Sequence, residues 1–365
     1  MSLGRKIKIL CSASAVGHEE FFGPLGDSFD FHDESDRFGA KSWEQAEGEL
    51  ERITLNLALK KAKLKPCDID LLFAGDLQNQ CVASSSGLSS FGIPYIGLYG
   101  ACSTCAEAIL CASVFLYAQK EPSKCVAITS SHNCAAERQF RTPIEYGGQR
   151  TPTAQWTATA SGAFILENCF SSKENEESSE NLPKNDSFHQ KSPKNMTFPK
   201  EKNSDLYSNE VFVTEVMAGK IVDSGVPDAS NMGAAMAPAC AHSLEHYFKE
   251  TKRSPSDFDC IVTGDLGKEG SEILYDLLSS VGISIKDRHL DCGMMMYDYN
   301  RQDVHSGGSG CGCSASILSA HFLPSMRKGN LKNVLFLATG ALMSPLSIQQ
   351  GGTIAGIAPL LRLEI

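Results

Sequence analysis

The feature that most constrains this chain is that its first half repeats in its second. Asp68-Ile69-Asp70-Leu71-Leu72-Phe73-Ala74-Gly75-Asp76-Leu77 is answered by Asp257-Phe258-Asp259-Cys260-Ile261-Val262-Thr263-Gly264-Asp265-Leu266. Gly100-Ala101-Cys102-Ser103-Thr104-Cys105 is answered by Gly308-Ser309-Gly310-Cys311-Gly312-Cys313. The chain end, Thr353 to Ile365, matches Thr157 to Glu167 as the last strand of each repeat. In this pairing Cys105 stands opposite Cys313, but Cys102 stands opposite Gly310. A duplicated unit packs against its copy, and ligands favour such junctions. Only one half brings a thiol to that seam.

Strand-like and helical runs alternate in both halves. The Ser42-x-x-Gln45 capping pattern opens an amphipathic helix to about Lys63. Asp70–Ala74 and Ile93–Leu98 read as buried strands, Ala101–Gln119 as an apolar helix, and Cys125–Thr129 as a third strand. In the second half Cys260–Gly264 and Val334–Thr339 read as strands, and Ser271–Val281 and Gly312–Met326 as helices. This rhythm predicts an α/β fold with a largely parallel sheet. It divides the chain into an N-terminal half, 1–170, and a C-terminal half, 209–365. Between them, residues 171–208 are rich in Ser, Glu, Lys, Asn and Pro. Too few apolar side chains are present there to offset the entropy of ordering, so a disordered insertion is expected.

A net charge of −10 with no basic stripe excludes nucleic acid as a natural partner. No run reaches the ~18 apolar residues of a bilayer span. The N-terminus lacks the apolar core of a signal peptide. With 14 cysteines in a chain of 365 residues and no secretion signal, reduced thiols are expected. Cys125 and Cys260 lie in strand-like runs and read as small core residues.

Cys102 follows a strand and opens a helix, where the helix dipole and backbone N–H groups favour a thiolate or receive a carboxylate. A small residue buried at a tight turn explains the same pattern. Residues 131–141 follow a strand that ends nearby. If they are helical, Arg138 and Arg141 share a face at i, i+3 spacing and form a fork for a carboxylate. The alternative is that both pair with Glu137 or Glu145, or brace a dimer. His132 is either a donor to a ligand or a satisfied loop histidine. Cys102, Cys105, Cys311 and Cys313 supply four thiols, but their spacing is not that of a zinc knuckle, and no metal or cofactor is expected.

A Cys at the mouth of a buried helix in a doubled β-α-β-α unit resembles the thiolase and β-ketoacyl synthase superfamily. More narrowly, Gly23-Pro24-Leu25-Gly26, Lys41-Ser42-Trp43-Glu44, Ala74-Gly75-Asp76-Leu77, Ser130-Ser131-His132-Asn133 and Glu145-Tyr146-Gly147-Gly148-Gln149 resemble the stage V sporulation protein AD family of spore-forming bacteria. So does Gly233-Ala234-Ala235-Met236-Ala237-Pro238-Ala239. The resemblance implies a thiolase-like fold of two pseudo-symmetric halves in α-β-α-β-α layers, and a homodimer. It implies a protein that binds dipicolinic acid and helps load it into the developing spore, beside other stage V sporulation A membrane proteins at the forespore or spore inner membrane. Laid over the condensing-enzyme pattern, the catalytic His falls at Gly264 and the catalytic Asn at Gly308, so no catalysis is expected. His305 stands close enough to Gly308 to supply a ring. The resemblance and the helix mouth together give Cys102, His132, Asn133, Arg138, Arg141, Gly308 and Gly340 as the ligand-binding set. An acyl-transferring enzyme that uses Cys102, and an interaction scaffold with a vestigial pocket, are the alternatives.

Overall fold

A computed structural model describes residues 1–140, 150–169 and 208–365. Arg141 and the expected insertion, apart from Ser208, lie outside the described residues.

The helix expected after Ser42 spans Trp43–Ala62. Ser42 Oγ accepts a hydrogen bond from the Gln45 N–H at 3.2 Å, satisfying one free donor of the first turn. Lys63, at φ +57°, turns the chain out of the helix in the left-handed conformation. The buried side chains Leu50, Ile53 and Leu57 then pack one face of this helix against the sheet.

That sheet runs, edge to edge, Tyr95–Gly97, Leu71–Gly75, Lys124–Ser131, Ala160–Asn168, Ile7–Val16, Val211–Met217, Leu360–Glu364, Asn333–Leu337, Cys260–Thr263 and His289–Asp291. The order is the same read from either edge inward. In each half the outer three strands are parallel and the inner two add antiparallel. In this sheet the halves meet antiparallel, with Lys8 opposite Phe212 and Ile9 opposite Val211.

Alternation along the strands builds the layers. In Lys124–Ser131, Cys125 and Ala127 face a central core, while Val126 and Ile128 face an outer one with Leu50 and Ile53. In Cys260–Thr263, Cys260 and Val262 join the same central core, and Ile261 joins the opposite outer one with Leu244 and Phe258. Between the halves lie the helices Thr104–Ala118 and Cys311–Ile317, which contribute Cys105, Ile109, Cys313 and Ile317 to that central core. The result is five layers, α-β-α-β-α. Cys125 and Cys260 serve as small apolar residues, since both are buried in these cores.

Four expectations shift. The sheet is mixed rather than largely parallel, because the two inner strands of each half and the junction of the halves pair antiparallel. Ile93–Leu98 yields only Tyr95–Gly97, and it is an edge rather than a buried strand, with Tyr95 37% and Ile96 43% exposed. The second-half helix begins at Cys311, one residue early, and reaches Arg327 through a wider turn at Leu318–Phe322. Pro324 carries no N–H, so the regular ladder is interrupted there. The segment Ala101–Ala118 is long and apolar enough to cross a membrane, but much of it is the buried central helix of the fold.

Candidate functional site

Cys102 sits two residues before its helix, on a tight elbow. Ala101 takes φ +52°, a strained choice for a residue with a side chain. The elbow is held by Ser103 Oγ donating to the Gly100 carbonyl at 2.7 Å and Thr104 Oγ1 donating to the Ala101 carbonyl at 2.7 Å. Gly340 lets the neighbouring strand Gly340–Leu342 lie against this elbow. A Cβ there would stand 2.4 Å from the Gly100 carbonyl oxygen.

Above the elbow opens a shallow cleft that is continuous with solvent. Cys102 forms part of its wall with Leu77, Phe140, Met232, Ala341 and Met343, and with the polar residues Tyr99, Thr157 and Ser309. The lining therefore suits a flat apolar body with a polar edge.

Beneath the elbow lies a residue that the sequence comparison passed over. The Asp265 carboxylate is fully buried and within hydrogen-bonding reach of the Cys102 thiol. It also accepts from the Gly310 N–H and the Thr339 hydroxyl, each at 2.8 Å. Burial pushes its pKa up to about 7, although each of these three hydrogen bonds pulls the other way. Burial first, and the neighbouring Asp265 charge second, raise the Cys102 thiol well above the ordinary thiol range. A reactive cysteine needs positive surroundings, and this one faces an acid.

The overlay that puts a catalytic His at Gly264 says nothing of the acid one residue on. Gly264 packs toward Ala338 and Thr339, while the next residue, Asp265, carries the side chain that reaches Cys102. The repeat held the signal. Gly75-Asp76-Leu77 and Gly264-Asp265-Leu266 match, and Asp76 is likewise a buried carboxylate accepting backbone N–H groups, from Gln78 and Ser84.

The remaining expected residues scatter. Gly308 pairs with Trp156 in a short parallel ribbon, and a Cβ on it would meet the Tyr297 ring at 2.9 Å and Cys313 Sγ at 3.2 Å. It is Ser309, not Gly308, that lines the cleft. His305 is turned elsewhere, with Nδ1 on the Thr151 carbonyl at 2.7 Å and Nε2 on Asp303 at 2.8 Å. His132 is buried with Nε2 on the Asp36 carbonyl at 2.8 Å and its ring beside Trp43. Ser131, its neighbour, takes the seam-facing side, because side chains alternate along a strand. Asn133 braces the cleft wall by donating to the Thr157 carbonyl at 3.2 Å. Arg138 is 67% exposed and pairs with Glu44 at 3.2 Å. The ion-pair alternative thus holds for it, with a different glutamate from either expected. The four thiols separate into Cys102 with Cys311 in one apolar cluster and Cys105 with Cys313 in another. Among the described residues no group of three or more His, Cys, Asp or Glu is arranged to hold a metal ion.

A family model described as Stage V sporulation protein AD matches residues 1–197 and 201–364 of this chain. Stage V sporulation protein AD of Bacillus subtilis (strain 168) is 39% identical over 347 residues, spanning 95% of this chain and 91% of that protein. Among solved structures, AbyA1, a tetronic acid condensing enzyme, is similar at TM-score 0.56 and 13% identity, over 98% of this chain and 100% of that one. The 3-oxoacyl-(acyl-carrier-protein) synthase III of Aquifex aeolicus VF5 is similar at 0.53 and 13% identity, over 98% and 99%. OleA of Xanthomonas campestris is similar at 0.57 and 10% identity, over 99% and 98%. At such identities the likeness shows a thiolase-like fold and leaves the chemistry open.

Proposed function

Because this chain belongs to the stage V sporulation protein AD family, we propose that it binds dipicolinic acid in the cleft over Cys102, for uptake into the developing spore, and catalyses no condensation. One observation carries the non-catalytic part. Burial, and then the neighbouring Asp265 carboxylate, disfavour the Cys102 thiolate that a condensing enzyme needs as its nucleophile. The ligand comes from the family resemblance, and the lining supports it. The mostly apolar lining, with Leu77, Phe140, Met232 and Met343 beside Tyr99, Thr157 and Ser309, is compatible with an aromatic ring that carries polar groups.

The same resemblance gives a homodimer and a peripheral place beside stage V sporulation A membrane proteins at the spore inner membrane. The open edge strand Tyr95–Gly97 supports the homodimer, because unpaired edges recruit a second strand.

Calorimetry tests the ligand: dipicolinate should bind saturably and an isomer with displaced carboxylates should bind more weakly. No binding at millimolar dipicolinate would overturn the reading. Mass spectrometry after mixing with acyl-CoA tests the chemistry, and an acyl adduct on Cys102 would restore the enzyme alternative.

A further inference from the structure

The floor of the cleft carries a consequence for whatever binds above it. Asp265 is fully buried within hydrogen-bonding reach of Cys102, and its hydrogen-bonding partners Gly310, Thr339 and Cys102 are uncharged. The other titratable groups facing it are Asp291, Cys292 and Cys313, all buried, and none brings a positive charge. Among the described residues lining the cleft there is no cation either, and Arg138 is engaged outside with Glu44. An anion bound against Cys102 therefore lies near Asp265, whose hydrogen-bonding partners are uncharged.

We propose that the cleft over Cys102 is proton-coupled: it accepts small carboxylate anions while Asp265 is protonated and rejects them once Asp265 ionises, so each bound anion is accompanied by one proton. Burial raises the Asp265 titration to about pH 7, which places this exchange near neutrality. The identity of the natural anion rests on the dipicolinate reading, but the electrostatics of the cleft do not.

Two experiments separate these claims. The first compares alkylation of Cys102 by iodoacetate, an anion, and by iodoacetamide, its neutral counterpart. The modified peptide is followed by mass spectrometry from about pH 5.5 to about pH 8.5. Taking the ratio of the two rates cancels the thiolate fraction. In the wild type that ratio should fall about tenfold across the Asp265 titration, and in Asp265→Asn it should stay flat. Exposed Cys67 provides a reference ratio within the same molecule. A flat ratio in the wild type, or an equal fall in Asp265→Asn, overturns the proposal whatever the natural ligand is. Should Asp265→Asn fail to fold, the wild-type ratio alone still decides, because a flat profile contradicts the proposal.

The second is calorimetry with dipicolinate in two buffers of different ionisation heat. Uptake of about one proton per ligand is expected above pH 7, with affinity falling about tenfold per pH unit. Binding without proton uptake overturns the coupling and leaves the ligand standing. Absence of binding overturns the ligand, while the alkylation ratio still reports on the cleft.

Discussion

At the scale of single residues, the asymmetry between Cys102 and Gly310 has a steric origin. Gly310 takes φ +109° and lies so close to Ser131 that a Cβ would stand 2.5 Å from its hydroxyl. The second half therefore admits only glycine where the first half carries its thiol. Gly310→Ala should destabilise the fold by about 1–3 kcal/mol, read from urea denaturation. A loss below about 0.5 kcal/mol would show that the seam relaxes around a side chain. Asp265 is a residue to which the sequence reading assigned no role. A family overlay is least certain at a strand end, whereas a hydrogen bond to a thiol is fixed only by where two distant loops meet. Arg138 was misdirected for a related reason. Helical spacing says which residues share a face, but not whether that face looks into the cleft or toward Glu44.

Among the elements, the cap and the strands were legible because their causes are local. Ser42 binds a backbone N–H three residues on, and strand alternation sorts Cys125 from Val126 without reference to anything distant. The edge strand was not legible. Tyr95-Ile96-Gly97 is as apolar as a central strand, and only the absence of a further strand on its outer side, among the described residues, leaves it open to solvent. That opening is where the proposed dimer forms. Ile96→Lys should convert a dimer to a monomer with little change in fold, measured by sedimentation together with circular dichroism. A variant that remains dimeric would move the interface elsewhere.

For the whole molecule, burial of acids makes stability depend on pH. Glu20 and Glu47 are each pushed up to about 8, and Asp265 to about 7, in every case chiefly by burial. Their ordinary values are 4.5, 4.5 and 3.8. Between these limits the folded chain holds protons that the unfolded chain has released. Stability is therefore complete below about pH 4 as far as these groups decide it, and it falls as pH rises toward 8, by up to about 1.4 kcal/mol per pH unit for each group. Denaturant midpoints should drop between about pH 5.5 and about pH 8.5. A midpoint that rises over that range would mean that these acids are ionised in the folded state. The sequence by itself determined the doubling, the alternation of strand and helix and the elbow at Cys102, because each depends on neighbours a few residues away or on comparing one half with the other. Tertiary structure alone decided that a carboxylate lies beside the thiol, that Arg138 looks outward and that Tyr95–Gly97 is left at an edge. Those facts depend on how segments far apart in the chain come to share one volume, and side-chain identity does not encode direction until that packing is complete.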